Sequence, residues 1–370
     1  LVAAIRAEIE RDGPITFARF MQRALYEPNL GYYAASATRP TRAGDFLTAP
    51  ELHPLFGYAL ARQVQQAWQL LGEPDAFVVR EYGAGSGALA LSLLDGLARM
   101  DAKSLEHIRY QPVELPEQLT TIGHRLAAAG YGGALGEAAG SFVGCVLANE
   151  FLDALPVHRV VRRQNELREL LVDWRDGSFV ETEGDLSSAA LASWFADGDI
   201  ALAEGQIAEV SLELFRWMAA MAADLERGYA FIFDYGAQPR ELYGTRRVAG
   251  TLRAFRGQHV SSDPYSGVGE QDLTAHVDLA ALHRAALAAG MEPLGVTTQA
   301  EFLMGCGLEE LVAAEQAALP DEWPPRLLLR AAVARLIDPR QMGGYAAVAL
   351  GRNVPAAELR GLSYRLPARG

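Results

Sequence analysis

Cysteine is nearly absent from this chain of 370 residues, with Cys145 and Cys306 the only two. Two cysteines exclude a disulfide framework and a Cys/His zinc cluster of the usual spacing, and they point to a reducing compartment. Positive charge is also scarce. With 33 bases against 46 acids the net charge is −13 and the isoelectric point near 5.1, so the electrostatic footprint of a nucleic-acid binder is missing. No apolar run approaches the roughly 18 residues of a membrane span. The opening LVAAIRAEIERDG sets charges among its apolar positions, as a surface helix does and a signal peptide does not. What the chain does have is core-forming material, since 50% of its residues are hydrophobic and 21% charged. One α/β domain carrying insertions is the expected organisation.

Residues 1–33 read as one or two helices. Thr48, with Glu51 three residues on, has the form of a capping box opening a helix that runs to about Leu71. AFVVREYG then reads as a buried strand, GALALSLLDGLARM as a helix and IRYQPVEL as a second strand, which makes a βαβ unit and hence a parallel sheet. A helix over 117–129 and the strand FVGCVLANE extend the pattern. Residues 157–183 change to the β-rich pieces VHRVVRR, ELRELLVDW and SFVETEG, parted by Gln164-Asn165 and Asp176-Gly177, as in an inserted meander. A helix over 205–226 leads to the strand YAFIFDYG, and 237–275 reads as a long functional loop before the helical HVDLAALHRAALAAG. GMEPLGVTT and GYAAVALG are the last strands, with helices over 300–317 and 325–337 between them. The expected boundaries are 1–72 for a helical extension with a covering loop, 73–351 for the main domain with insertions at 157–204 and 237–275, and 352–370 for a tail.

Glu81-Tyr82-Gly83-Ala84-Gly85-Ser86-Gly87 stands between a strand and a helix. Glycines there allow a tight turn and let a ligand approach the main chain. The string also satisfies a loose dinucleotide pattern, so a nicotinamide-dependent oxidoreductase is the competing enzyme class. Glu81 argues against it, because a carboxylate beside the loop repels a pyrophosphate but suits the ammonium of an amino-acid-bearing ligand. S-adenosylmethionine has that ammonium and no phosphate. Glu114, at the end of the next strand, is placed to accept hydrogen bonds from both ribose hydroxyls, against a bland reading as a solvated strand-end acid. Asn149-Glu150-Phe151-Leu152-Asp153-Ala154-Leu155-Pro156 follows a strand at the carboxyl edge, where open α/β sheets bind ligands. One helical turn before Pro156 would put Glu150 and Asp153 on one face, a double acceptor for a guanidinium; acids stabilising a helix start are the alternative.

These motifs, with Gly44 to Glu51, Tyr110 to Pro116, Asp234-Tyr235-Gly236 and Asp272 to Asp278, resemble the MidA-like family of class I S-adenosylmethionine-dependent methyltransferases from about Thr16 to Leu350. Mitochondrial members of that family assist complex I assembly by methylating an arginine of a core subunit. The resemblance implies a Rossmann-like α/β sheet of seven strands with a helical N-terminal extension and a β-rich insertion. It implies S-adenosylmethionine held by Glu81, Gly83, Ala84, Gly85, Gly87, Glu114 and Leu115, with Phe46 and Thr48 on a covering loop. Asn149, Glu150, Asp153 and His158 become the catalytic candidates, and Asp234, Tyr235, His259 and His276 the substrate or lid candidates. A protein substrate follows, together with a bacterial cytoplasmic or mitochondrial matrix location. A neutral His158 imidazole could take a proton, although a histidine opening a strand is more often structural. No H-E-x-x-H or G-x-S-x-G pattern occurs, and methyl transfer from a sulfonium needs no metal. A cofactor-ordered assembly factor without catalysis and a small-molecule methyltransferase remain the other readings.

Overall fold

The computed structural model describes residues 1–35, 47–257, 259–320 and 323–366. Its chain divides into two compact units, one built from 47–151, 220–234 and 286–366, the other from 1–35, 152–219 and 235–285.

The first of these is a sheet unit. Its strands are β1 (Phe77–Tyr82), β2 (Ile108–Val113), β3 (Phe142–Asn149), β4 (Leu225–Asp234), β5 (Glu292–Thr298) and β6 (Ala346–Arg352), in the order β5-β6-β4-β3-β1-β2. β2, β1, β3 and β4 run parallel, and β6 alone runs antiparallel to both of its neighbours, β4 and β5. Phe77, Val79, Cys145 and Val146 are fully buried in the parallel strands β1 and β3, as in a sheet covered on both faces. Six strands form where seven are expected; beyond β2, among the described residues, the sheet continues only as one parallel bridge, Tyr110 to Leu135, with Gly136 N donating to Tyr110 O at 2.8 Å. The stretch around it carries Gly130, Gly132, Gly133 and Gly136, and glycine weakens a strand through its conformational freedom and lack of packing.

Two helix expectations in this unit need correction. The helix expected from Thr48 is two helices, Ala49–Leu52 and Leu55–Leu70, because the residue before Pro54 is extended, with His53 at φ −163° and ψ 144°. The Thr48 side chain makes no cap bond. Residues 300–317 likewise form two helices, Gln299–Gly305 and Leu308–Ala318, broken at Gly307 with φ 81°. Helix Leu55–Leu70 packs on Ala88–Met100 at very short range: a Cβ on Gly57 would lie 2.0 Å from Ser92 Oγ, and one on Gly96 2.8 Å from Ala61 Cβ. That close fit seats the helix that follows the glycine loop.

In the other unit, helices Val2–Asp12 and Phe17–Tyr26 flank a short strand, Ile15–Thr16, paired with Leu171 and Val172. The meander forms as read, with strands His158–Arg163, Glu166–Arg175 and Ser178–Gly184 joined by turns at Gln164-Asn165 and Asp176-Gly177, all four residues at positive φ. The helix expected over 205–226 begins only at Glu213, since Ile207–Val210 is a strand paired with His158–Val161. Nor is 237–275 irregular throughout: Arg253–Arg256, His259–Ser261 and Asp272–Thr274 make a small antiparallel sheet. Phe17, Phe20, Val172, Phe179 and Leu273 anchor the core of this unit.

Candidate functional site

At the carboxyl end of β1 the chain turns sharply through Gly83, Gly85 and Gly87, with φ of 70°, 53° and 72°. These left-handed conformations are costly for residues with a Cβ, which is why glycine occupies all three. Gly83 N donates to Val113 O at 3.1 Å, and a Cβ on Gly83 would come within 2.9 Å of Phe151 Cδ2. Gly87 is the N-cap of helix Ala88–Met100. Gly85 differs from both. A Cβ there would meet only Gly83 O, at 4.0 Å, so its outer side is open space in which a ligand can lie against the main chain. Ala84, between them, is buried.

Glu81 is buried on β1, and its Oε2 accepts from Tyr110 Oη at 2.5 Å. Burial pushes its pKa up to about 7, the Tyr110 hydrogen bond opposes that rise and the Glu114 charge adds to it. A half-protonated buried carboxyl of this kind becomes a full anion when a cation binds beside it. Glu114 lies at the end of β2, where Oε1 accepts from Gly85 N at 2.9 Å and Oε2 from Leu115 N at 2.8 Å. The ribose candidate therefore also braces the glycine loop. Leu115 is the N-cap of helix Pro116–Ala128. Thr48 is half-buried, and Phe46 lies outside the described residues.

At the end of β3 the helical turn expected before Pro156 is not formed. Glu150 has φ 49°, its N donates to Phe233 O at 2.8 Å, and only a turn from Leu152 to Leu155 follows. The one-face argument for Glu150 and Asp153 falls with it, because a left-handed residue breaks the helical period. Glu150 itself is a conspicuous acid. Its Oε1 accepts from Asn149 Nδ2 at 3.1 Å and Ala49 N at 3.3 Å, whereas its Oε2 and Asn149 Oδ1 are buried without a hydrogen-bond partner among the described residues. Burial pushes the Glu150 carboxyl up to about 8, with Ala49 N opposing and Asp234 adding to the rise. Asp234, at the end of β4, accepts from Phe151 N at 3.1 Å. Two unpaired acceptor atoms in one buried spot suit a ligand rich in N–H donors.

The remaining candidates belong to the other unit. Asp153 is buried, its carbonyl accepts from Ala275 N at 2.9 Å, and its charge acts on Tyr33, whose phenol donates to Asp272. His158 Nδ1 lies 2.7 Å from Glu169 Oε1, and Glu169 Oε2 accepts from Ser187 N at 2.7 Å. Against the desolvation of burial, these partners hold Glu169 below the usual carboxylate range. His158 thus sits in a hydrogen bond that ties two strands of the meander together. His276 packs against the Tyr235 ring, and burial, reinforced by Arg247 and Arg253, depresses it to about 4, so it is neutral at physiological pH. His259 is exposed on the small sheet.

Sequence reasoning missed two contributors. Glu51, read as a capping residue, accepts instead from Ser86 Oγ at 2.9 Å in the glycine loop, and Tyr110 is the hydrogen-bond donor to Glu81. A cavity of about 550 Å³ opens beside Glu51 and Ser86, lined also by Tyr58, Asp95, Arg125 and Tyr131. Among the described residues, no group of three or more His, Cys, Asp or Glu is arranged to hold a metal, and no helix is long and apolar enough to cross a membrane.

The chain is similar to several known proteins. A family described as "Putative S-adenosyl-L-methionine-dependent methyltransferase" matches residues 59–297. The chain is 30% identical to a Drosophila melanogaster protein named "Protein arginine methyltransferase NDUFAF7 homolog, mitochondrial", over 93% of this chain and 82% of that one. It is 28% identical to the Danio rerio "Protein arginine methyltransferase NDUFAF7, mitochondrial", over 92% of this chain and 83% of that one. A crystal structure of a Burkholderia thailandensis protein bound to S-adenosyl-homocysteine superposes with a TM-score of 0.85 at 34% identity, covering 98% of this chain and 94% of that one.

Proposed function

Since the chain belongs to this family of S-adenosylmethionine-dependent methyltransferases, we propose that it methylates an arginine of a partner protein. When bound, the cofactor would offer its sulfonium methyl for an in-line displacement, in which a C–N bond forms as the C–S bond breaks, the neutral thioether S-adenosyl-homocysteine leaves, and the proton shed by the methylated nitrogen passes to water. In this reading the backbone of Gly83 to Gly87 runs along the methionine and ribose, Glu81 meets the ammonium and Glu114 the ribose hydroxyls, with Thr48 on the covering segment. The open side of Gly85 and the acids flanking it fit such a ligand.

The observation that carries the acceptor assignment is the pair of buried, unpartnered acceptors, Glu150 Oε2 and Asn149 Oδ1, at the carboxyl end of β3. A guanidinium offers N–H donors in a planar fork that can satisfy both. Held there, its positive charge is drawn toward the nitrogens that touch Glu150, and another nitrogen is left more nucleophilic. Alignment is the main contribution, because proximity and orientation can supply roughly 7–11 kcal/mol. Asp153, His158, Tyr235, His259 and His276 are given no contact with the methyl acceptor. A core subunit of respiratory complex I, in a bacterial cytoplasm or a mitochondrial matrix, is the first acceptor to try. Glu150→Gln keeps the shape but cannot ionise against a bound guanidinium, so methyl transfer should fall about 100-fold or more. Affinity for S-adenosyl-homocysteine should stay within about 1 kcal/mol of wild type. Wild-type turnover in the variant would remove Glu150 from the acceptor site.

A further inference from the structure

Tyr110 is fully buried in the middle of β2, an unusual place for a phenol unless its O–H is used. In the parallel register Tyr110 is level with Val79, and Glu81 stands two residues further along β1 on the same face as Val79. The phenol therefore reaches one step toward the carboxyl end and meets Glu81 Oε2 at 2.5 Å, while Glu81 Oε1 takes no hydrogen bond from any described residue. The titratable groups acting on Glu81 are Tyr110, across the β1–β2 pair, and Glu114, at the end of β2. Tyr110 itself is held far above its ordinary value by burial and by the Glu81 charge, so it remains a donor at every working pH.

We propose that Tyr110 is a positioning residue for the cofactor: its phenol fixes the Glu81 carboxylate through Oε2 and leaves Oε1 to receive the ligand's α-ammonium. This rests on the cofactor reading given above. Without that hydrogen bond, the burial of Glu81 and the neighbouring Glu114 act unopposed, and the carboxyl stays protonated at neutral pH. A neutral carboxyl gives an ammonium little to bind. The loss is recovered as the pH rises and Glu81 ionises.

The test uses calorimetry with two thioethers, S-adenosyl-homocysteine, which carries the ammonium, and 5′-methylthioadenosine, which does not. Titrations run from about pH 6 to about pH 8 in buffers of different ionisation enthalpy, beside a titration of the free ligand that fixes the proton loss of its own amine. Wild type should release a fraction of a proton with the first ligand and none with the second. Tyr110→Phe should weaken S-adenosyl-homocysteine about tenfold near pH 7. It should also move the midpoint of affinity against pH upward by about one unit. Affinity for 5′-methylthioadenosine should stay within about twofold. In a Glu81→Gln background the same substitution should add nothing. Equal loss of both ligands, or an unmoved pH profile, would show a merely structural tyrosine and overturn the proposal. If Tyr110→Phe does not fold, the wild-type proton count decides, and equal release with both ligands overturns it. Wild type that binds neither ligand would sink the cofactor reading itself. Wild type that binds both, with Glu81→Gln indistinguishable from it, would leave the cofactor reading standing and end this proposal alone.

Discussion

Replacing Gly85 by valine separates ligand binding from folding more cleanly than any other change in the loop. At φ 53° a residue with a Cβ is strained by about 1–2 kcal/mol, and a branched one somewhat more. The Cβ itself adds little packing cost, since it meets only Gly83 O, at 4.0 Å. The free protein should therefore lose only a few degrees of melting temperature. The two methyl groups instead occupy the open side along which the ligand would lie, and affinity for S-adenosyl-homocysteine should fall at least 100-fold, or about 2.7 kcal/mol. Gly57→Ala is the converse control, since its Cβ would lie 2.0 Å from Ser92 Oγ and must disturb the helix pair rather than the loop. Thermal melts with and without ligand, together with calorimetry, measure both effects. A folded Gly85→Val variant that binds within about threefold of wild type would refute the reasoning that this glycine exists for ligand approach.

Other consequences follow from the acids. Glu114→Ala should weaken S-adenosyl-homocysteine and adenosine alike by about 1.5–3 kcal/mol, as for hydrogen bonds to a charged group; a loss confined to the methionine end would mean that Glu114 serves only to brace Gly85. Glu150, raised from the ordinary 4.5 to about 8, stabilises the fold only while protonated, so that contribution is complete below about pH 4.5 and lost as the pH rises through about 8. The wild-type melting temperature should accordingly fall more between pH 5 and pH 8 than that of Glu150→Gln, and parallel curves would contradict the assignment. His158→Gln should cost about 1–3 kcal/mol of stability by leaving Glu169 buried with less support, with unchanged S-adenosyl-homocysteine affinity; a selective loss of turnover in a stable variant would restore His158 as a catalytic candidate.

What could be read from the sequence was whatever its local pattern determines. The strand, glycines and helix around Glu81 to Gly87 lie within a few residues of one another, and the meander turns carry Asn and Gly where positive φ is required. Ile207–Val210 was hidden because four residues satisfy helical and extended periods equally well, and the three short strands within 237–275 are no longer. The Thr48 to Glu51 pattern matched a capping box, yet Glu51 finds its partner 35 residues away at Ser86. Tyr110 acquires its role only from the register of β2 on β1, which no local pattern encodes. Glu150 adopts a left-handed backbone that its residue type does not favour, so the helical turn assumed for it could not have been corrected without the fold.

The central claim, methylation of a protein arginine, is tested most directly by mass spectrometry of the core subunits of respiratory complex I. The subunits would come from cells with the gene, without it, and with Glu150→Gln in its place. The account predicts an arginine that carries added methyl groups only in the first sample, with the variant resembling the deletion. An identical set of methylated residues in all three, while the purified protein still binds S-adenosyl-homocysteine, would contradict the arginine assignment for this acceptor. Methyl label transferred by the purified enzyme to a small molecule instead would contradict it for protein acceptors altogether.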